Sequence, residues 1–180
     1  SNDDGRYSEV LVESSPQILR LEQDYSGRSL LPTDPVVGFI DHLIEDYGDE
    51  WVTKIMYHYR WHHLYVDAIA KAGNMLPLMS DNQMNVEQHA DIKDFITTRQ
   101  MNRTALVGST DNNRDIIENS FVRLLRTLET HLTENQFLLG NRPGRGDFGL
   151  FGQFSQLFFW EPDSSLIAAR RSPRSVIWAY

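Results

Sequence analysis

Histidine, tyrosine and arginine crowd into one short run, Tyr57-His58-Tyr59-Arg60-Trp61-His62-His63, rich in side chains able to bind a metal or move a proton. His58 and His62 are four residues apart, so on a helix they share one face and could ligate an ion together. No carboxylate at helical spacing completes the set, because Asp67 falls five residues beyond His62. The spacing therefore predicts a half-buried helix with polar tips and no metal. A second place is Glu13-Ser14, ahead of Pro16 and Gln17. Ser14 followed by Gln17 has the form of a capping box, and a proline suits a first helical turn because it has no N–H to leave unpaired. His131, near Glu129 and Glu134, reads as a solvated helix end. Arg170, Arg171 and Arg174 read as surface cations near a helix C-terminus, where positive charge is favoured.

Composition narrows what these side chains can serve. Charged residues make up 23% and hydrophobic residues 41% of the 180, which is enough apolar material for one core. A net charge of -8 argues against a generic polyanion surface, so no nucleic-acid partner is expected. With no cysteine in the chain, disulfides, thiolate metal sites and a cysteine nucleophile are excluded within it. No apolar run is long enough for a membrane span. A cytoplasmic location and no membrane partner are expected. Ser1-Asn2 at the front and the apolar Val176-Ile177-Trp178 at the back give both ends the look of truncations.

The elements follow from periodicity and punctuation. Residues 7–12 are β-branched and aromatic enough for a short strand, leading into a helix from Ser14 to about Tyr25. Arg28 to Asp34 is a linker. Asp34 or Thr33, with Pro35, starts a second helix carrying Val36, Ile40, Leu43 and Tyr47. Gly48 is expected to bend or interrupt it, and the pattern resumes through Trp51, Val52, Ile55, Met56 and Tyr59 to about Ala72. Gly73 to Asn82, with Pro77, is expected to break it. A further helix spans about Asn85 to Arg103, and Gly108–Asn113 is a loop by composition. The strongest periodicity follows: Ile117, Phe121, Leu124, Leu125, Leu128 and Leu132 form one apolar stripe. Gly144-Arg145-Gly146-Asp147 opens a Phe-rich helix that runs through Phe158, with Phe148 and Phe151 expected in the core. Pro162 and Pro173 mark two more short helices.

Three blocks together resemble glutathione transferases. The first is Val12-Glu13-Ser14 through Ile18, Leu19 and Leu21 to Arg28-Ser29-Leu30-Leu31-Pro32. The second is Glu45-Asp46-Tyr47-Gly48-Asp49-Glu50-Trp51 with Tyr57-His58-Tyr59-Arg60-Trp61. The third, and the most specific, is Phe137-Leu138-Leu139-Gly140 through Pro143-Gly144-Arg145-Gly146-Asp147-Phe148 to Phe151-Gly152-Gln153. The implied fold is mainly α: a transferase-type C-terminal helical bundle over 35–180, a linker over 28–34, and a residual strand–helix fragment of a thioredoxin-like domain over 1–27. Asp147 at N3 is expected to reach back to the N-cap N–H. Where the family usually has Ser or Thr at that N-cap this chain has Gly144, a change expected to matter little.

The same resemblance implies a site. By position, Glu13 would face the ammonium of glutathione, and Ser14 with the helix N-terminus would hold its γ-glutamyl carboxylate. Tyr57, Arg60 and Trp61 are the candidates for the pocket of an apolar, small-molecule electrophile. The family's thiol-activating Ser, Tyr or Cys has no counterpart here, and what matches is about a quarter of a thioredoxin-like domain. No catalytic residue is therefore assigned, glutathione is expected as cosubstrate, and a homodimer is the expected assembly. The rival reading is a non-catalytic, transferase-like interaction module that docks partners through its helical faces.

Overall fold

The computed structural model describes residues 10–180, and within them the regular elements are helices joined by loops. In chain order the helices are α1 (Ser14–Asp24), α2 (Pro35–Tyr47), α3 (Thr53–Trp61), α4 (Val66–Ser80), α5 (Val86–Met101), α6 (Arg114–His131), α7 (Arg145–Phe159), α8 (Pro162–Arg171) and α9 (Pro173–Ala179). Among the described residues there is no strand, only an isolated bridge between Phe137 and Gly140. The strand expected over 7–12 is not seen in Val10–Val12, which belong to no regular element, and its first three positions lie outside the described residues. No described helix is long and apolar enough to cross a membrane.

The core forms where α3, α6 and α7 face one another, closed by α8 and α9. Ile55 and Tyr59 of α3, Phe121 and Leu125 of α6, and Phe154 and Leu157 of α7 are fully buried in one cluster. The stripe expected on α6 is the buried face, with Leu124 and Leu132 at its margins. On α7 the inward face differs from the expectation. Leu150, Phe154, Leu157 and Phe158 are buried, whereas Phe148 and Phe151 are 47% and 44% exposed. The α7 axis is set by its crossing with α2, and that rotation turns Phe148 and Phe151 to one side.

That crossing is close because glycines line it, Gly146 and Gly149 on α7 and Gly48 just after α2. A Cβ on Gly48 would come within 2.9 Å of the Gly149 carbonyl carbon, and one on Gly146 within 2.9 Å of Ile44 Cβ. These distances leave no room for a side chain. Gly48 interrupts the α-helical pattern, as expected, without ending the helix. It opens a π-helical turn, Gly48–Val52, that joins α2 to α3 without a break. The expected continuation to Ala72 fails instead at His62, whose ψ of 135° is extended. α4 then runs through Gly73 and Pro77. Pro77 lies in the last turn, where it removes only the bond that its own N–H would make to the Gly73 carbonyl, and Gly73 is buried against the Lys93 and Thr97 side chains of α5.

α1 is different in kind. No residue of α1 is buried, and Leu19 and Leu21 are exposed. Its links to the bundle are polar: Ser15 Oγ donates to Glu45 Oε1 at 2.7 Å, and Ser14 Oγ to Asp49 Oδ2 at 3.4 Å. Glu22 accepts from the Leu30 amide at 2.8 Å and from the Ser29 hydroxyl, and so fixes the linker onto α1.

Candidate functional site

The α1 N-terminus carries an unusual backbone. Glu13 has φ 72° and ψ 144°, and among the described residues it is the only non-glycine with positive φ. For a side chain with a Cβ such a conformation costs of order 1–3 kcal/mol, and strain of this kind clusters at binding sites. The capping-box pattern makes Ser14 the expected N-cap, but the cap is Glu13, and no side chain caps the first turn. Ser14 is the first helical residue and its hydroxyl turns to Asp49. The first-turn amides of α1 are therefore left for solvent or a ligand. The surroundings are acidic. Burial, then the charge of Glu45, raises the Asp49 carboxyl above its ordinary value. Arg145 lies among these carboxylates, with Nε 3.2 Å from Glu45 Oε2.

Asp147 performs the structural role expected of it, and more. Its Oδ2 accepts the Gly144 amide at 2.9 Å, and its Oδ1 accepts the Leu138 amide at 3.0 Å, which fastens the turn before α7. Sequence reasoning missed the second acid of this junction. Asp41 of α2, wholly buried, accepts the Gly146 amide at 2.8 Å and the Arg145 amide at 3.2 Å. It takes the place of the side-chain cap that Gly144 cannot supply. A Cβ on Gly144 would stand 2.7 Å from Asp41 Oδ1, so glycine there makes room for the carboxylate. An acidic residue on the buried face of an otherwise apolar helix was the available signal.

The three expected pocket residues are engaged with other side chains or packed in the interior. Tyr57 donates its hydroxyl to the Gln100 carbonyl at 2.8 Å. Trp61 is 3% exposed and part of the packed interior. Arg60 is paired: its Nε lies 2.5 Å from Glu161 Oε1, its Nη2 2.9 Å from Gln156 Oε1, and its guanidinium sits over the Trp160 ring. Burial raises the Glu161 carboxyl while Arg60 opposes that rise. A cavity with aromatic walls lies elsewhere. It has about 230 Å³ and is walled by Phe137, Pro143, Asp147, Phe148, Phe151 and Trp178.

The histidine run ends in a second constellation. At the end of α3 the chain turns at His62, and the loop before α6 folds over that end. His58 Nδ1 lies 2.7 Å from Ser109 Oγ, both residues being buried. Its Nε2 is 3.5 Å from Glu118 Oε1, and Tyr65 donates its hydroxyl to the same oxygen at 2.8 Å. Burial, and then His62, bring the His58 pKa down to about 4. Burial, and then His63, also lower that of His62. Two residues beyond Ser109, Asp111 places Oδ1 3.3 Å from His62 Nε2 and 3.5 Å from His63 Nε2. His58 and His62, the pair suggested by helical spacing, lie with ring centroids 4.6 Å apart and planes inclined by 46°.

No family model matches this chain, and no curated protein or solved structure matches it.

Proposed function

We propose that this chain is a glutathione transferase-like helical unit that contributes the γ-glutamyl end of a glutathione site. The observation that carries the proposal is the strained Glu13 backbone at the open N-terminus of α1. Glu13, Asp49 and Glu45 favour the ammonium of the ligand, and the uncapped first-turn amides with Ser14 favour its carboxylate. The capped α7 junction at Asp147 supports a bundle of the transferase type. No thiol-activating group is assigned within these residues, so the chain alone binds and does not conjugate. The electrophile site has no support at Tyr57, Arg60 and Trp61, because those side chains are engaged with Gln100, Glu161 and the packed interior.

Amide chemical shifts on titration with glutathione test the proposal. The amides of Ser14 and Ser15 should move and saturate, and Glu13→Gln should weaken the effect. Shifts that spare the start of α1 would refute it, as would turnover of a standard electrophile above the uncatalysed rate for the statement about catalysis.

Pairing through a helical face has one observation in its favour. Val36, Phe39, Ile40 and Leu43 form an exposed apolar stripe at helical spacing on α2. A homodimer that covers this stripe is the proposed assembly. Light scattering of Phe39→Glu should then report a smaller mass than that of the unaltered chain.

A further inference from the structure

We propose that His62, His63 and Asp111 form an open binding site for a divalent transition-metal ion such as Zn²⁺, independent of the glutathione site. The inference starts from an unmet need. His62 is 2% exposed, and neither of its ring nitrogens has a hydrogen-bond partner. A buried polar atom in that state is costly and uncommon, and an ion at the site is one of the explanations it calls for. A ligand for it stands close by: the facing nitrogens and oxygen of His62, His63 and Asp111 all lie within 4.8 Å of one another.

The spacing favours coordination over hydrogen bonding. Ligand atoms about 2.0–2.1 Å from a tetrahedral zinc are about 3.4 Å from each other. The two edges that meet at Asp111 Oδ1 measure 3.3 Å and 3.5 Å, longer than the usual hydrogen bond to a carboxylate. Two imidazoles and one carboxylate are a donor set suited to zinc and to other borderline divalent ions, and unsuited to calcium or magnesium.

The fold fixes these donors from two directions. His62 is extended at the end of α3, and its ring lies 4.4 Å from that of His63. Asp111 comes from the loop whose Ser109 is held by His58, so Ser109 and His58 are positioning residues. His63 and Asp111 are both exposed, and three protein ligands leave a fourth position open on their side for water or an exogenous anion. His62 Nδ1 lacks the acceptor that normally supports a ligating histidine, which places the affinity about 10–100-fold below that of a fully supported site.

The test uses Zn²⁺ in competition with a chromophoric chelator, and Co²⁺ as a spectroscopic probe of coordination. The chain should bind one equivalent of Zn²⁺, and Co²⁺ should give the intense visible bands of a four-coordinate ion. Asp111→Asn and His63→Gln alter exposed side chains, so the fold should persist. Each should weaken Zn²⁺ by more than about 100-fold, beyond the range for loss of a supporting partner. Ser109→Ala should weaken it by about 10-fold, and His89→Gln on α5 should leave it unchanged. Equal affinity in Asp111→Asn, His63→Gln and the unaltered chain would overturn the proposal, and so would a six-coordinate Co²⁺ spectrum unaffected by either variant.

Discussion

The start of α7 and the end of α3 both bury polar side chains at a helix terminus, but they complete them in opposite ways. At α7, two carboxylates divide four amides between them. Asp147 takes those of Leu138 and Gly144, and Asp41 takes those of Arg145 and Gly146. Every donor has an acceptor at hydrogen-bond distance, and the acceptors lie at the positive end of a helix dipole. At α3, His58 finds Ser109, but His62 is buried with both nitrogens unmatched. A buried polar group that is fully paired strengthens the fold. One left unpaired weakens it unless something else binds there. The first junction therefore explains itself as architecture, and the second points to a ligand.

Substitutions can break that contrast, and the largest effect should come from Asp147→Ala. It strips the acceptor from two amides at a buried turn, and should lower stability by about 2–5 kcal/mol, as measured by urea unfolding. A loss below about 1 kcal/mol would mean that water replaces the carboxylate freely and that the junction is not the fold's anchor.

Gly144→Ser comes next. Serine is ordinarily the better N-cap, yet here its Cβ would crowd Asp41 Oδ1, and the cost should be about 1–3 kcal/mol. In an Asp41→Ala background the same change should become favourable by a few tenths to about 1 kcal/mol. This reversal of sign in a double-mutant cycle is what identifies Asp41 as the substitute cap.

His62→Leu tests the other junction, in metal-free protein. Because the replaced nitrogens accept or donate no hydrogen bond, stability should stay unchanged or rise by up to about 1 kcal/mol. A loss as large as that at Asp147 would show that the imidazole is satisfied after all.

The smallest effect lies on the exposed α1. The Ser29 hydroxyl and the Leu30 amide hold the Glu22 carboxyl below its ordinary value of 4.5. Its contribution is therefore present above pH 4.5 and lost as pH falls through the lower, native value. The Leu30 amide shift should titrate with a midpoint below 4.5. A midpoint at or above it would mean that the α1–linker contact is not populated.

Much of the fold was legible because its signals are local. Asp34 caps α2 by accepting the Val36 and Val37 amides, Asn85 caps α5 through the Gln88 amide, and Pro162 and Pro173 open α8 and α9. The α6 stripe faces inward because a helix with that periodicity has only one way to bury it. The failures came where a distant element intervened. At Gly48 the expected interruption is the π-helical turn, but the close approach to α7 that the glycine permits was not legible. Phe148 and Phe151 have core-like chemistry, but the direction of α7 was fixed by α2.

Of the candidate sites, local chemistry showed which side chains were available and not which of them would meet. Residue order determined the helices, the capping role of Asp147, and the density of imidazoles at the end of α3. Only the tertiary structure supplied Asp41 to the amides of α7, paired Arg60 with Glu161, and brought Asp111 beside His62 and His63. Helical spacing looks about one turn along the chain, whereas those partners are separated from each other by many turns and meet because the core forces their helices together.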